Sequence, residues 1–82
     1  MPDPDPVITI SPMPPTEGDE VTITLIGGDD EATLTVEFVP GGTQTVKLKG
    51  GTATVTAKRG AASMIVSGGG AAATSTSITP QT

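Results

Sequence analysis

The feature that most constrains the fold is the alternation of threonine with aliphatic residues along the chain. The alternation runs through residues 21–25 and 52–57 and recurs in nearly every other segment, and fifteen of the 82 residues are threonine. A period of two is typical of strands with one buried and one solvated face. No segment has the spacing of an amphipathic helix. The sequence therefore predicts an all-β domain.

Glycine- and proline-rich turns divide the chain into seven predicted strands. They cover residues 7–11, 20–26, 31–39, 43–49, 52–58, 61–67 and 73–79. Seven short strands at regular spacing favour a Greek-key sandwich of immunoglobulin-like topology, with a small closed barrel as the alternative. Between the fourth and fifth strands, Gly50-Gly51 is typical of a tight hairpin, because glycine adopts positive φ at little cost. These two strands are therefore predicted to pair directly.

The period of two also predicts which side chains form the core. In the third strand Leu34, Val36 and Phe38 are expected to face inward, while the residues between them face water. Other inward-facing positions are expected in the second, fourth and sixth strands: Val21, Ile23, Leu25, Val46, Leu48, Ala62, Met64 and Val66. Phe38 is the only aromatic residue, so the predicted core is thin and aliphatic.

The chain is expected to form one domain. Residues 1–6 alternate proline and aspartate and are predicted to be a flexible arm, residues 7–80 the sandwich, and residues 81–82 a tail. The N-terminus lacks the basic and apolar regions of a signal peptide, so synthesis in the cytoplasm is expected. No apolar run approaches the length of a membrane span, and a membrane partner is not expected.

Composition argues against catalysis and nucleic-acid binding. The chain has no histidine and no cysteine, so it has no Ser-His-Asp triad and no zinc ligand set, and neither enzymatic activity nor a cofactor or metal is expected. The net charge is −5. All nine acids precede Phe38 and all four bases follow it, and four bases neutralise few phosphates.

Two sets of charged residues are the candidate binding positions. The acids of segments 17–20 and 29–31 have the oxygen ligands that Ca²⁺ prefers but lack EF-hand spacing, and solvated turn acids are the favoured interpretation. Four bases are candidates for contacting a protein partner: Lys47, Lys49, Lys58 and Arg59. For the three lysines the favoured interpretation is that they discourage edge-to-edge aggregation of the strands, and a dedicated binding patch is the alternative.

Several motifs resemble the bacterial Ig-like repeat modules of cell-surface and tailed-phage virion proteins. They are Glu-Gly-Asp-Glu-Val-Thr at 17–22, Val-Glu-Phe-Val-Pro-Gly-Gly-Thr at 36–43 and Lys-Gly-Gly-Thr-Ala-Thr-Val at 49–55, with Val-Ser-Gly at 66–68. Val66 and Gly69 stand where such modules often carry an aromatic residue and an acid, so the resemblance does not imply a calcium site. It implies a non-enzymatic structural role.

The resemblance leaves three functions open. The first is a virion protein of a tailed phage, decorating the capsid or head surface and contacting capsid or tail lattice subunits. The second is an adhesion or spacer domain of a bacterial cell-surface protein, which would place the chain on the cell rather than the virion. The third is a designed sandwich. The first is preferred because the segment begins with its own Met1 and has no signal peptide or internal repeat.

Overall fold

The structure, a computed structural model, describes residues 5–81. This part of the chain contains seven β-strands and no helix, which confirms the all-β prediction. The strands are β1 Val7–Ser11, β2 Glu20–Ile26, β3 Thr33–Val39, β4 Gly42–Lys47, β5 Thr52–Thr56, β6 Ser63–Gly68 and β7 Ala71–Ser77. The first two have the predicted bounds, and the others differ from prediction by one or more residues at their ends.

The strands form two antiparallel sheets that pack face to face. One sheet has the order β1-β2-β5 and the other the order β4-β3-β6-β7. In the first sheet Val21 is paired with Val55, and in the second Val36 is paired with both Gln44 and Val66. Two separate sheets with four edge strands make this a β-sandwich rather than a closed barrel.

The core lies between the inner faces of the two sheets. Alternate residues of β1, β2, β3 and β6 are buried, as the period of two predicted, and the residues between them are mostly exposed. The side chains that become fully buried include Ile23, Leu34, Leu48 and Met64. No buried side-chain nitrogen or oxygen of the described residues lacks a hydrogen-bond partner. Apolar burial therefore holds the sheets together.

The prediction that β4 and β5 pair as a hairpin is wrong. They belong to different sheets, and the pairing at the Gly50-Gly51 turn is limited to an isolated bridge between Thr52 and Lys49, which lies beyond the end of β4. After β4 the chain turns inward, because Leu48 is buried between the sheets and its backbone N–H donates to the Ala32 carbonyl at 2.9 Å. The Gly50-Gly51 turn is present, but it carries the chain from one sheet to the other.

The predicted inward position of Ala62 is also wrong. Ala62 is exposed and its neighbour Ala61 is buried. The chain bends at Ala62 before β6 begins at Ser63, so the strand alternation starts two residues later than expected. From Met64 onward the predicted inner and outer faces are correct, and Met64 is fully buried.

The predicted flexible arm falls largely outside the described residues, because residues 1–4 are not among them. Of its last two residues, Asp5 is exposed and Pro6 is partly buried. Pro6 lies beside the turns that follow β2 and β6. A Cβ built on Gly28 would be 3.3 Å from Pro6 Cβ, and one built on Gly70 would be 3.7 Å from Pro6 Cγ. The sandwich therefore begins at Pro6.

The two lateral sides of the sandwich are closed to different extents. On one side β1 lies against β7, and the Thr74 hydroxyl donates to the Ile8 carbonyl at 3.4 Å. On the other side the three-stranded sheet ends at β5. Strand β4 of the four-stranded sheet therefore projects beyond the edge of the smaller sheet. Every residue of β4 is exposed except the partly buried Val46. The overhang of β4 positions the candidate site.

Candidate functional site

A cleft of about 600 Å³ opens between β4 and the end of β5. One wall is formed by residues 41–44, which turn into β4, and the other by residues 56–59, which follow β5. Gly18 and Phe38 complete the lining. The cleft is therefore formed by three parts of the chain that are far apart in sequence.

The cleft exists because the first residues of β4 provide little cover for the inner face of the sheet. Gly42 is paired with Phe38 and Gln44 with Val36, so both share the inner face with core residues. Gly42 has no side chain and Gln44 is exposed. The opposite sheet ends at β5 and does not reach them. The backbone of Gly42 and the amide side chain of Gln44 are consequently accessible beside the apolar core.

Lys58 connects the two walls of the cleft. Its Nζ donates a hydrogen bond to the Gly41 carbonyl. A Cβ built on Gly41 would be 2.8 Å from Lys58 Cδ, so glycine at this position makes room for the lysine stem. An ammonium group has three donors, and the Gly41 carbonyl takes one of them. The group is exposed and retains capacity to bind an anionic or carbonyl oxygen.

Arg59 lies next to Glu17 at the base of the same region. Its guanidinium packs on Gly18, where an added Cβ would be 3.0 Å from an Arg59 Nη atom. Glu17 Oε2 accepts the Gly60 N–H at 3.0 Å, and Oε1 accepts the Gln81 N–H at 3.2 Å. These two hydrogen bonds and the charge of Arg59 lower the pKa of Glu17. Glu17 therefore ties the turn after β5 to the C-terminal segment.

The lowered pKa of Glu17 predicts a specific loss of stability in acid. A carboxylate with a depressed pKa stabilises the fold above its ordinary pKa, and that contribution disappears as pH falls through the folded-state value. Thermal melts of Glu17→Gln between pH 7 and pH 2 should show a smaller acid-induced decrease in Tm than the parent protein. Glu37→Gln, on the exposed face of β3, is the matched control for loss of a single surface charge. Parallel pH profiles for Glu17→Gln and the parent would contradict this role.

The four predicted partner-binding bases are not brought together. Lys58 and Arg59 line the cleft, whereas Lys47 and Lys49 line a recess of about 380 Å³ together with Glu31 and Leu48. Strand β5 separates the two pairs, and its five residues span about 17 Å. The acids preceding Phe38 lie near bases at both places. The division of charge along the sequence is therefore not a division into an acidic and a basic surface.

The acids of the two clusters make different contacts: Asp29 binds the backbone of its own turn, whereas Glu17 binds distant N–H groups. Asp29 Oδ1 accepts the Glu31 N–H at 2.9 Å, and the Asp29 carbonyl accepts the Ala32 N–H at 3.2 Å. The Asp19 carbonyl accepts the Ala57 N–H at 2.9 Å. Among residues 5–81 no group of three or more acidic, histidine or cysteine side chains has the geometry of a metal site.

Sequence reasoning named Lys58 and Arg59 from their charge but missed Glu17, Gly41 and Gln44 as parts of the same site. Glu17 had no local signal, because its carboxylate binds N–H groups that are 43 and 64 residues away in sequence. Gly41 had a weak local signal, because it belongs to the Pro-Gly-Gly turn that leads into β4. The cleft offers ammonium, guanidinium, hydroxyl and amide groups, which bind extended polar or acidic segments.

In comparisons with known proteins, no family model matches the sequence, and no curated protein or solved structure is significantly similar to it. A search of residues 5–81 for an apolar helix long enough to cross a membrane finds none.

Proposed function

We propose that the protein is a non-enzymatic structural module with immunoglobulin-like Greek-key topology, and that it attaches to the surface of a tailed-phage virion. The single observation that carries the attachment is the cleft beside the overhanging β4. One of its walls is cationic, with Lys58 and Arg59, and the other is an exposed sheet edge; a protein segment can contact both at once.

The strand order supports the topological part of the proposal. In an immunoglobulin-like module the second and fifth strands pair in one sheet, and the third and sixth pair in the other. The sheets β1-β2-β5 and β4-β3-β6-β7 have this arrangement. The sequence motifs that resemble phage and bacterial modules lie in β2, in the β3–β4 connection, around the Gly50-Gly51 turn and at the end of β6.

The outer faces support a structural role. Across the first sheet, Thr9, Thr24 and Thr52 lie in one row, and Ser11, Thr22 and Thr54 lie in the next. These hydroxyl-bearing residues are compatible with water and with a polar contact, and the paired Val7 and Ile26 at one end of the same face are exposed apolar residues. Such a module adds bulk and polar contact area to an assembly.

Attachment to particles is tested by co-sedimentation of the purified protein with heads of the phage whose genome encodes it. We expect the protein to pellet with the heads and to be released as salt rises, because exposed charge pairs are screened beyond about 8 Å at physiological ionic strength. Heads that already carry the protein should bind no more of it. Failure to pellet at any salt concentration would overturn the virion assignment and leave attachment to the bacterial cell surface to be tested in the same way.

A further inference from the structure

The four edge strands of the sandwich offer different opportunities to a partner. The edges are β1 and β5 in one sheet and β4 and β7 in the other. The hydrogen bond from Thr74 to Ile8 joins β7 to β1, so these two edges lie together and leave little room between the sheets. At the opposite side β4 and β5 are not paired with each other, and the cleft opens between β4 and the end of β5.

Strand β4 has the properties of an edge that accepts another strand. It is paired with β3 on one side, and its residues are exposed over almost the whole length. Unpaired N–H and C=O groups of an edge strand are a template for an added strand. None of its six residues is a proline, and its single lysine is the last residue, so the first five carry neither of these common protections against strand addition.

The charge beside β4 indicates the chemistry of the added strand. Lys58 and Arg59 stand at the end of the cleft where β4 begins, and the Gly41 carbonyl accepts only one of the Lys58 hydrogens. A carboxylate on an incoming segment would accept hydrogen bonds from the remaining donors of these two side chains, and a lysine would be repelled. Further along β4 the inner face offers Gln44 and the partly buried Val46, which suit an apolar side chain.

From these observations we infer that β4 binds an extended acidic segment of a partner protein by strand addition, with the acid held by Lys58 and Arg59. The segment alternates apolar and polar residues, because an added strand places every second side chain over the cleft. It carries its acid at the end that lies beside Gly41. The inference rests on the proposed function, since it specifies how the module is attached to its partner.

A peptide experiment tests the strand addition directly. The probe is a capped peptide as long as β4 in which valine alternates with threonine, with glutamate at one end, made in two versions for the two strand directions. Titration into the ¹⁵N-labelled protein should shift the amide signals of Thr43, Gln44 and Thr45. It should slow the hydrogen exchange of Thr43 and Thr45, whose N–H groups point away from β3, and not that of Gln44, whose N–H group points toward β3. Replacing the glutamate by lysine should weaken binding about tenfold. Methylating alternate peptide nitrogens in the register that pairs with β4 should abolish binding, because those N–H groups are lost.

Matched protein variants test the role of the cationic end. Lys58→Glu should weaken binding of the acidic peptide about tenfold, whereas Lys49→Glu, the same change at the other end of β5, should stay within about twofold. Lys58→Gln, which removes the charge without reversing it, should give an intermediate loss. Circular-dichroism melts establish that each variant is folded, and the comparison is made among the folded ones. Equal losses for the two charge reversals would overturn the inference.

Two further results would also overturn it. One is a set of shifted amides confined to β7 or β1, which would place the added strand at another edge. The other is self-association of the parent protein, measured by sedimentation and removed by Lys58→Glu. That result would make a second copy of this chain the occupant.

Particle binding separates this inference from the proposed function. If the parent pellets with phage heads and the two charge reversals behave alike, only the inference fails. If the parent binds the peptide but no heads, only the virion assignment fails.

Discussion

Phe38→Ala is expected to lower the free energy of unfolding by about 3–5 kcal/mol. Phe38 is the only aromatic residue of the chain, and its side chain is 5 % exposed on the inner face of β3. Strand β3 is central, with β4 on one side and β6 on the other, so its backbone is held on both sides and cannot move to fill the space. Urea denaturation followed by circular dichroism measures the loss.

The control for this prediction is Thr35→Ala in the same strand. Thr35 lies on the outer face between Thr45 and Ser67, and its truncation should change stability by no more than about 0.5 kcal/mol. A small domain has a total stability of about 5–15 kcal/mol, so the two variants should be separated clearly. Comparable losses would mean that Phe38 does not carry the packing that its burial implies.

Gly68→Ala is expected to destabilise the domain by about 3 kcal/mol and to lower Tm by about 10–20 °C. Gly68 has φ +114°, a conformation that side-chain-bearing residues rarely adopt. A Cβ there would be 3.0 Å from the Thr33 carbonyl oxygen and 3.3 Å from Leu34 Cα. Both atoms belong to the backbone of the central strand, which cannot move without breaking ladder hydrogen bonds. Differential scanning calorimetry gives the shift.

Gly60→Ala separates the two causes of that loss. Gly60 also has a positive φ, of +87°, but a Cβ added there would meet no atom within 4 Å beyond its own chain neighbours. Its substitution should cost only the conformational penalty, about 1–2 kcal/mol. If both variants lose the same stability, the close approach of β3 to Gly68 has no energetic effect and the conformational penalty explains the whole loss.

Much of the fold could be predicted from local patterns. The bounds of β1 and β2 and the buried faces of β2 and β3 follow from alternation, since a side chain two residues along a strand returns to the same face. The prediction failed at Ala62, where the chain bends before β6 and the alternation restarts. A bend held by long-range hydrogen bonds, such as that from the Ala62 N–H to the Val39 carbonyl at 2.8 Å, has no local signature.

Less of the candidate site could be predicted. Charge singled out Lys47, Lys49, Lys58 and Arg59 as one group, and only the last two line the cleft. The predicted hairpin, whose two strands contain Lys47, Lys49 and Lys58, does not form. Glu17 was classed with the turn acids, although its carboxylate holds two backbone N–H groups from distant segments.

The sequence by itself determined the class of structure, the positions of most strands and the residues of the core. These properties depend on the period of two and on turn residues, which act over a few positions. Only the tertiary structure decided which sheet receives β4. Gly50-Gly51 permits a hairpin, but pairing β4 with β5 would leave Leu48 without its place between the sheets, where it is 1 % exposed. Burial of that side chain draws the chain across the sandwich, and the overhang and its cleft result from this crossing.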